Sequence, residues 1–261
     1  MNAEFTRVAI VGCGLIGGSI ELAIRECLPG VDVVPLDRDD DLDGLRGTDL
    51  VVLATPIRQI IEILPGLRRH ISTQTIVTDT GSTKAAIVEA AGDMRFVGGH
   101  PIAGAATGGR EAARADLFAG RPWILTPARA AAADVTRLRQ FLGRLGADVR
   151  LLDAAEHDRL LALISHLPQV TVSAAMHVIG SRAGASGLAL AGSGLHDSSR
   201  LAGSPPDIWR DILLTNRTNI TSAIDALITV LSSLRDDETG QALARTFESA
   251  ARWKRVLDGT R

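Results

Sequence analysis

The amino-acid sequence predicts an α/β fold: a Rossmann-like, mostly parallel sheet lacking one edge strand and helix, followed by an all-helical domain. Three observations carry this expectation. An apolar run over residues 8–11 enters a Gly12-x-Gly14-x-x-Gly17 loop, and a helical stretch leaves it. Short apolar runs then alternate with helical stretches to about residue 150, the pattern of a parallel sheet covered on both faces. Beyond about residue 152 the apolar residues recur only at helical spacing. The expected division is a dinucleotide-binding domain over 1–152 and a helical domain over 153–261.

The elements follow in order. The strand at 8–11 delivers the chain into the glycine loop, and a helix occupies 16–27. The three glycines permit a tight turn, a close backbone approach to a pyrophosphate and packing of the helix on its strand. The helix N-terminus adds unpaired N–H groups and partial positive charge for the phosphates. The second strand ends at Asp37, about twenty residues past the last glycine, where a carboxylate would hold the ribose hydroxyls of NAD and repel the 2′-phosphate of NADP. Arg38, next to it, could reach such a phosphate, so NADP is the less favoured cofactor rather than an excluded one. Only residues 38–48 separate this acid from the third strand at 49–56. That space fits one short helix where a complete unit needs a helix, a strand and a second helix. The acidic run within it reads as a solvated face. Thr55 and Pro56, at the end of the third strand, join Gly12, Gly14, Leu15, Ile16, Gly17, Asp37 and Arg38 as candidate cofactor-binding residues.

A helix at 57–64 is expected to stop at Pro65-Gly66. A strand at 74–79, a helix at 83–91 and a strand at 96–100 follow. In the second half, a helix over 154–164 places Leu160, Leu161 and Ile164 on one face. Pro168 should kink it, because proline has no donor for the carbonyl of Ile164, and residues 170–179 would continue it. Residues 209–234 read as one long helix with a stripe of Ile212, Leu213, Ile220, Ile224, Leu227, Ile228 and Leu231, and residues 241–257 as the last helix. Stripes this extended often bury against a second subunit, so a homodimer through the helical domain is expected.

Composition narrows the class. The 261 residues are 46% hydrophobic, enough for a sizeable core. The formal charge of −2 argues against a general nucleic-acid surface. Cys13 and Cys27 form no disulfide framework, and Cys13, inside the glycine loop, reads as a small packing residue. No secretory apolar region opens the chain, and no apolar stretch reaches the roughly 18 residues a membrane helix needs. A cytoplasmic globular protein with no membrane partner is the expectation.

Polar residues at consecutive strand ends carry the chemistry. Residues 79–84, from Asp79 through Ser82 to Lys84, end one strand, and His100 ends the next. Ligands bind outside the carboxyl ends of strands in open α/β sheets. Gly98 and Gly99 before His100, and residues 101–104 after it, leave a rigid and uncrowded backbone, which favours function over structure for that histidine. In the helical half, His166 and Gln169 surround the proline and could line a cavity, or serve packing alone. Arg200 is a candidate fork for a substrate carboxylate, although a surface arginine is the better reading of pattern alone. Asp197 lies three residues earlier and reads as a discriminating acid or as a cap.

In that order, the blocks 12–19, 49–56, 79–84, 99–104, 165–168, 199–202 and 209–212 resemble the prephenate and arogenate dehydrogenases, and the resemblance spans about residues 7–216. It implies oxidative decarboxylation of a cyclohexadienyl acid in tyrosine biosynthesis, with NAD as hydride acceptor, no metal, and a dimer built through the helical domain. By position it implies His100 as the catalytic histidine, Ser82 as its hydrogen-bonding neighbour at the substrate hydroxyl, and Arg200 as the carboxylate anchor. His166, Gln169 and Asp197 complete the candidate substrate-binding set. The chain departs from the family at the short segment after Asp37 and at Gln169, where many relatives have a second histidine. Two other classes compete: a different two-domain NAD(P)-dependent dehydrogenase or reductase, and a non-catalytic nucleotide sensor. The first usually depends on a lysine or other group in the helical domain, and the second has no need of a proton acceptor at position 100.

Overall fold

The computed structural model describes residues 5–37, 40–104 and 108–259. Arg38, one of the candidate cofactor residues, lies outside the described residues. Strands β1 (Arg7–Val11), β2 (Asp32–Leu36), β3 (Leu50–Leu53), β4 (Ile76–Asp79), β5 (Phe96–Pro101), β6 (Pro122–Thr126) and β7 (Asp148–Leu151) form one sheet in the order β2-β1-β3-β4-β5-β6-β7. The first five strands are parallel. β6 runs antiparallel to β5, and β7 parallel to β6. The chain therefore reverses direction across the sheet beside β1, and the crevice this leaves at the carboxyl ends of β1 and β3 is the usual ligand position of such sheets.

The reduced first half is as expected. Among the described residues between β2 and β3 lies a single 3₁₀ turn, Leu42–Leu45, whose Leu45 is buried, and β2 stands at the sheet edge. Asp41 caps that turn by accepting from the N–H of Asp43. The pair β6–β7, bridged by helix α4 (Ala132–Arg144), is an addition that the apolar pattern did not single out. β7 is an edge strand with little buried surface, so it lacks the continuous apolar run that marks a central strand.

Helices α1 (Leu15–Cys27) and α4 cover one face of the sheet, where Ile20, Ile24, Phe118, Trp123, Leu138 and Phe141 share a core with Val8 and Ile10. Helices α2 (Ile57–Leu67) and α3 (Ala85–Ala91) cover the other, with Ile57, Ile60, Leu64 and Leu67 buried. Each of these side chains contributes roughly 1.5–3 kcal/mol relative to exposure. α2 runs past Pro65, where a stop was expected. The proline forgoes a bond to the carbonyl of Ile61, but the helix runs only two residues beyond it, and burial of Leu67 offsets the loss.

The helical half departs from expectation in three places. First, α5 (Ala154–Leu161), a π-helical turn (Ala162–His166) and α6 (Leu167–Leu188) form one run, Ala154–Leu188. Pro168 does not break it: the wider π turn shifts the bonding pattern just before the residue that lacks a donor. The non-helical residue is Gly184, with φ 63°. Second, the buried stripe of this run is His157, Asp158, Leu161, Ala162, His166 and Gln169, while Ile164 is 70% exposed. The polar groups point inward because they bond there. By length and composition the run could cross a membrane, which a count of unbroken apolar residues misses because His166 and Gln169 interrupt it. Third, residues 209–234 are two helices, α8 (Pro206–Thr215) and α9 (Arg217–Arg235). They part at Asn216, whose φ of −124° frees its side chain for contacts to α5. α7 (Ser193–Ser199) and α10 (Gln241–Asp258) complete the chain. Ile212 of α8 and Ile220 of α9 join the core under α2 and α3, so the helical half is seated on that face of the sheet. Much of the rest of its apolar surface is bare: Ile208, Leu214, Ile228, Leu231, Phe247 and Trp253 are exposed.

Candidate active site

The glycine loop has the geometry of a phosphate cradle. Gly12 has φ +98°, and a Cβ there would sit 2.8 Å from the carbonyl oxygen of Ala54. A Cβ on Gly17 would lie 1.9 Å from the Gly12 oxygen, so only hydrogen lets α1 lie this close to the loop. Gly14, the N-terminal cap of α1, is exposed with open space where its side chain would be. Leu15 and Ile16, half-buried, form the first turn, which holds no acidic residue to oppose an anion. Asp37 is exposed directly beyond β2. Thr55 follows β3, and its buried Oγ1 has no partner among the described residues, while Pro56 caps α2. An open helix terminus, a close-packed turn, an acid beyond the second strand and an orphaned hydroxyl together fit a dinucleotide lying across the ends of β1, β2 and β3.

Beside this crevice, the ends of β4 and β5 are locked by a buried ion pair. The Asp79 carboxylate accepts from the N–H groups of Gly99 (2.9 Å) and Gly81 (2.8 Å) and pairs with Lys84 Nζ. Lys84 Nζ also donates to the carbonyl of Gly99 (2.6 Å). Both side chains are fully buried. Burial pushes Lys84 below the usual lysine range, against the pull of Asp79. Gly99 is required by this arrangement, since its Cβ would come within 2.4 Å of the Asp79 carbonyl oxygen. The result is a rigid strand end that presents the next residue, His100.

His100 is buried and has a histidine for a neighbour. Its Nδ1 lies 2.9 Å from Nε2 of His157, whose Nδ1 lies 2.8 Å from Oδ1 of Asp158. The Asp158 carboxylate also accepts from the backbone N–H groups of Lys84 (2.7 Å) and Ala85 (2.9 Å). One α5 carboxylate thus orients a histidine pair and caps α3 of the sheet domain. Burial opposes its charge, but bonds from His157, Ala85 and Lys84 outweigh it and hold Asp158 below the ordinary carboxylate range. Burial first, then the nearby His157, Lys84 and His166, hold His100 well below its usual value of 6.5, so its imidazole is neutral at physiological pH. A neutral imidazole beside a dinucleotide crevice is suited to accept a proton.

The other candidates gather around this core to different degrees. Ser82 is half-buried in the loop between β4 and α3, and the bonded neighbour of His100 is His157 rather than Ser82. His166 is buried, held by burial down to about 4, and lies 3.3 Å from Nδ2 of Asn216 and edge-on to Trp209. Asn216 Nδ2 donates to the carbonyl of Asp158 (2.7 Å), tying α9 to the same network. Gln169, one turn beyond His166, donates to the carbonyl of Leu201 (2.8 Å) and accepts from Ser204 (3.2 Å). Its amide therefore supports the 3₁₀ turn Arg200–Gly203. Arg200 is exposed at the start of that turn, and Asp197 is exposed in α7. Sequence reasoning named Lys84 only as part of the polar run at 79–84, and it missed His157, Asp158 and Asn216. A signal existed for two of them: His157 and Asp158 lie four residues before the buried Leu161 and Ala162, so they share the inward face of the helix.

Comparison with known proteins gives a consistent result. The family model for the nucleotide-binding domain of prephenate dehydrogenase matches residues 29–151, and that for its dimerization domain matches residues 153–248. A prephenate dehydrogenase of Bacillus subtilis is 31% identical over 96% of this chain and 76% of its own length. A cyclohexadienyl dehydrogenase of Zymomonas mobilis is 30% identical over 97% of this chain and 96% of its own. Among solved structures, prephenate dehydrogenase from A. aeolicus in complex with hydroxyphenyl propionate and NAD+ superposes with a TM-score of 0.88 at 25% identity, covering 98% of this chain and 100% of that one.

Proposed function

Because the chain belongs to the prephenate dehydrogenase family, we propose that it catalyses the NAD-dependent oxidative decarboxylation of prephenate or arogenate in tyrosine biosynthesis, yielding 4-hydroxyphenylpyruvate or tyrosine. The observation that carries this reading is the neutral, buried His100 at the end of β5, braced by Lys84 and His157.

The glycine loop and α1 N-terminus would hold the pyrophosphate of NAD, Asp37 the ribose, and Thr55 and Pro56 the wall of the crevice. Bound there, NAD supplies the acceptor for a hydride from the ring carbon that bears the hydroxyl. His100 takes the hydroxyl proton as that carbon becomes a carbonyl, and returns it when loss of carbon dioxide leaves the aromatic phenol. Ser82, at the neighbouring strand end, would bond the same hydroxyl. Arg200 would hold a carboxylate of the substrate, with Gln169 fixing the turn that carries it. The buried network of Lys84, Asp158 and His166 excludes water from behind His100, which strengthens each polar contact in front of it. The exposed apolar faces of α6, α8, α9 and α10 support a homodimer formed through the helical half, and such an enzyme would work in the cytoplasm.

The direct test is NAD reduction with prephenate, arogenate and a panel of hydroxy acids. Turnover confined to the hydroxy acids would sink the proposal. The same assay addresses the cofactor. Asp37 should favour NAD over NADP by roughly tenfold or more in kcat/KM, since it accepts from both ribose hydroxyls and repels a 2′-phosphate. Comparable efficiency with NADP would show that Arg38 governs the pocket.

Substrate choice offers a further expected result. Prephenate and arogenate differ in a keto group against an ammonium, so loss of Arg200 should raise KM for both. Asp197, exposed three residues before Arg200, would attract the ammonium. Asp197→Asn should lower the arogenate-to-prephenate ratio of kcat/KM by roughly two- to fivefold, the worth of an exposed charge pair. An unchanged ratio removes Asp197 from discrimination.

A further inference from the structure

We propose that His157 is a positioning residue that fixes the tautomer of His100, placing the proton on Nδ1 and turning the Nε2 lone pair toward the substrate hydroxyl. The inference rests on the proposed dehydrogenase reading for its catalytic meaning, but its structural part stands on the bonding chain itself.

The bonding chain starts at Asp158. Its carboxylate takes two backbone N–H groups, from Lys84 and Ala85, and it is almost fully buried. An ionised carboxylate only accepts, so the contact from His157 Nδ1 at 2.8 Å requires the proton on that nitrogen. With its hydrogen on Nδ1, His157 presents a bare Nε2. At 2.9 Å from His100 Nδ1, that bare nitrogen requires a donor, so His100 carries its proton on Nδ1. His100 Nε2 is left as a lone pair. In water a histidine side chain favours the opposite tautomer, with hydrogen on Nε2, which would present a donor where the reaction needs an acceptor. Lys84 Nζ is a buried cation bonded to the carbonyl next to His100, so a further buried charge on the His100–His157 contact is costly. The titratable groups around His100 are Asp79 and Lys84 from the β4–α3 region, His157 and Asp158 from α5, and His166 from the π turn.

The chain also accounts for the product of proton transfer. When the substrate O–H bond breaks and an N–H bond forms at His100 Nε2, the imidazolium keeps its Nδ1–H bond to His157. The Asp158 charge, one residue removed, balances the new cation, and the proton leaves by the same nitrogen when the phenol forms. The second histidine acts as an extended arm between a carboxylate in the helical half and a base on the sheet, where one carboxylate alone does not reach.

The test reads the tautomer directly. ¹⁵N-histidine-labelled, ligand-free protein at pH 7 should show His100, assigned by the signal lost in His100→Asn, with its proton on Nδ1. His157→Phe should shift it toward the Nε2–H form and lower kcat by about 10²-fold, within the range seen when a wrong tautomer or a lost outer partner disables a site. KM and NAD affinity should change by less than about twofold, since the ligand contacts remain. His157→Gln, whose amide can donate to Asp158 and accept from His100, should restore most of the rate. An Nε2–H or doubly protonated His100 in the unmutated protein overturns the proposal, as does a rate loss equal in the Phe and Gln variants. If the tautomer is as stated but neither prephenate nor arogenate is turned over, the functional reading fails and the bonding assignment stands.

Discussion

His100→Asn should bind NAD normally and lose turnover by about 10²- to 10⁴-fold, the usual cost of removing a general base. The substitution is chosen to isolate that role. The asparagine amide sits near the position of Nδ1, so it can still donate to His157, and the buried chain to Asp158 keeps its partners. Stability should therefore stay close to that of the parent while the proton acceptor disappears. The pH profile of the unmutated enzyme gives an independent reading. The base acts when neutral, so kcat/KM falls as pH drops through its value in the free enzyme. Burial, His157, Lys84 and His166 hold His100 well below 6.5, so the acid limb should lie well below pH 6.5 rather than at it. Near-native turnover in steady-state assays of the variant would remove His100 from the mechanism.

Lys84→Met should be the most destabilising single change at the site. Asp79 and Lys84 are both fully buried, and the variant leaves the carboxylate without its cation. Breaking a buried pair from one side costs about 3–5 kcal/mol, because the remaining charge is uncompensated. For a chain of this size that is a fall in Tm of roughly 6–20 °C. The double variant Lys84→Met/Asp79→Asn removes the stranded charge and should recover part of the loss. A kinetic signature should accompany it. Lys84 disfavours protonation of His100, so removing its charge lets the His100 value rise and moves the acid limb to higher pH. The carbonyl of Gly99 also loses its donor one residue before the base. Thermal unfolding within a degree or two of the parent would show that Asp79 does not depend on Lys84 for compensation, and would overturn this reading of the strand ends.

The two variants separate functions that the motif at residues 79–84 merges. Lys84 stands in a stretch that looks like ligand-binding sequence, yet its side chain turns inward and binds the strand ends together. The rigid platform it makes holds His100, the proposed base, buried on a strand rather than on a loop. Stiffness there matters to chemistry because a small misplacement of a proton acceptor costs much of its effect.

The local features of this fold were legible in the amino-acid sequence because local sequence determines them. The run into Gly12, the open N-terminus of α1, the acid beyond β2 and the short span before β3 each follow from sterics and spacing within some thirty residues, as the dinucleotide fingerprint does generally. His100 was legible for the same reason, as a polar residue ending an apolar strand. Contacts between distant segments decided the rest. β7 escaped notice because an edge strand buries too little to show a pattern. Asn216 divides what periodicity reads as one helix, and it does so to bond α5, 58 residues earlier. Pro168 is absorbed by a π turn that seats His166 and Gln169 on the buried face. The pair His157 and Asp158 meets His100 and the start of α3 across a separation of 57 to 74 residues, and no pattern within either segment encodes that meeting. Sequence alone specified where a nucleotide belongs and which strand-end histidine to propose as the proton acceptor. Only tertiary packing decided which nitrogen of His100 faces outward, because that depends on a chain of donors and acceptors assembled from both halves of the protein.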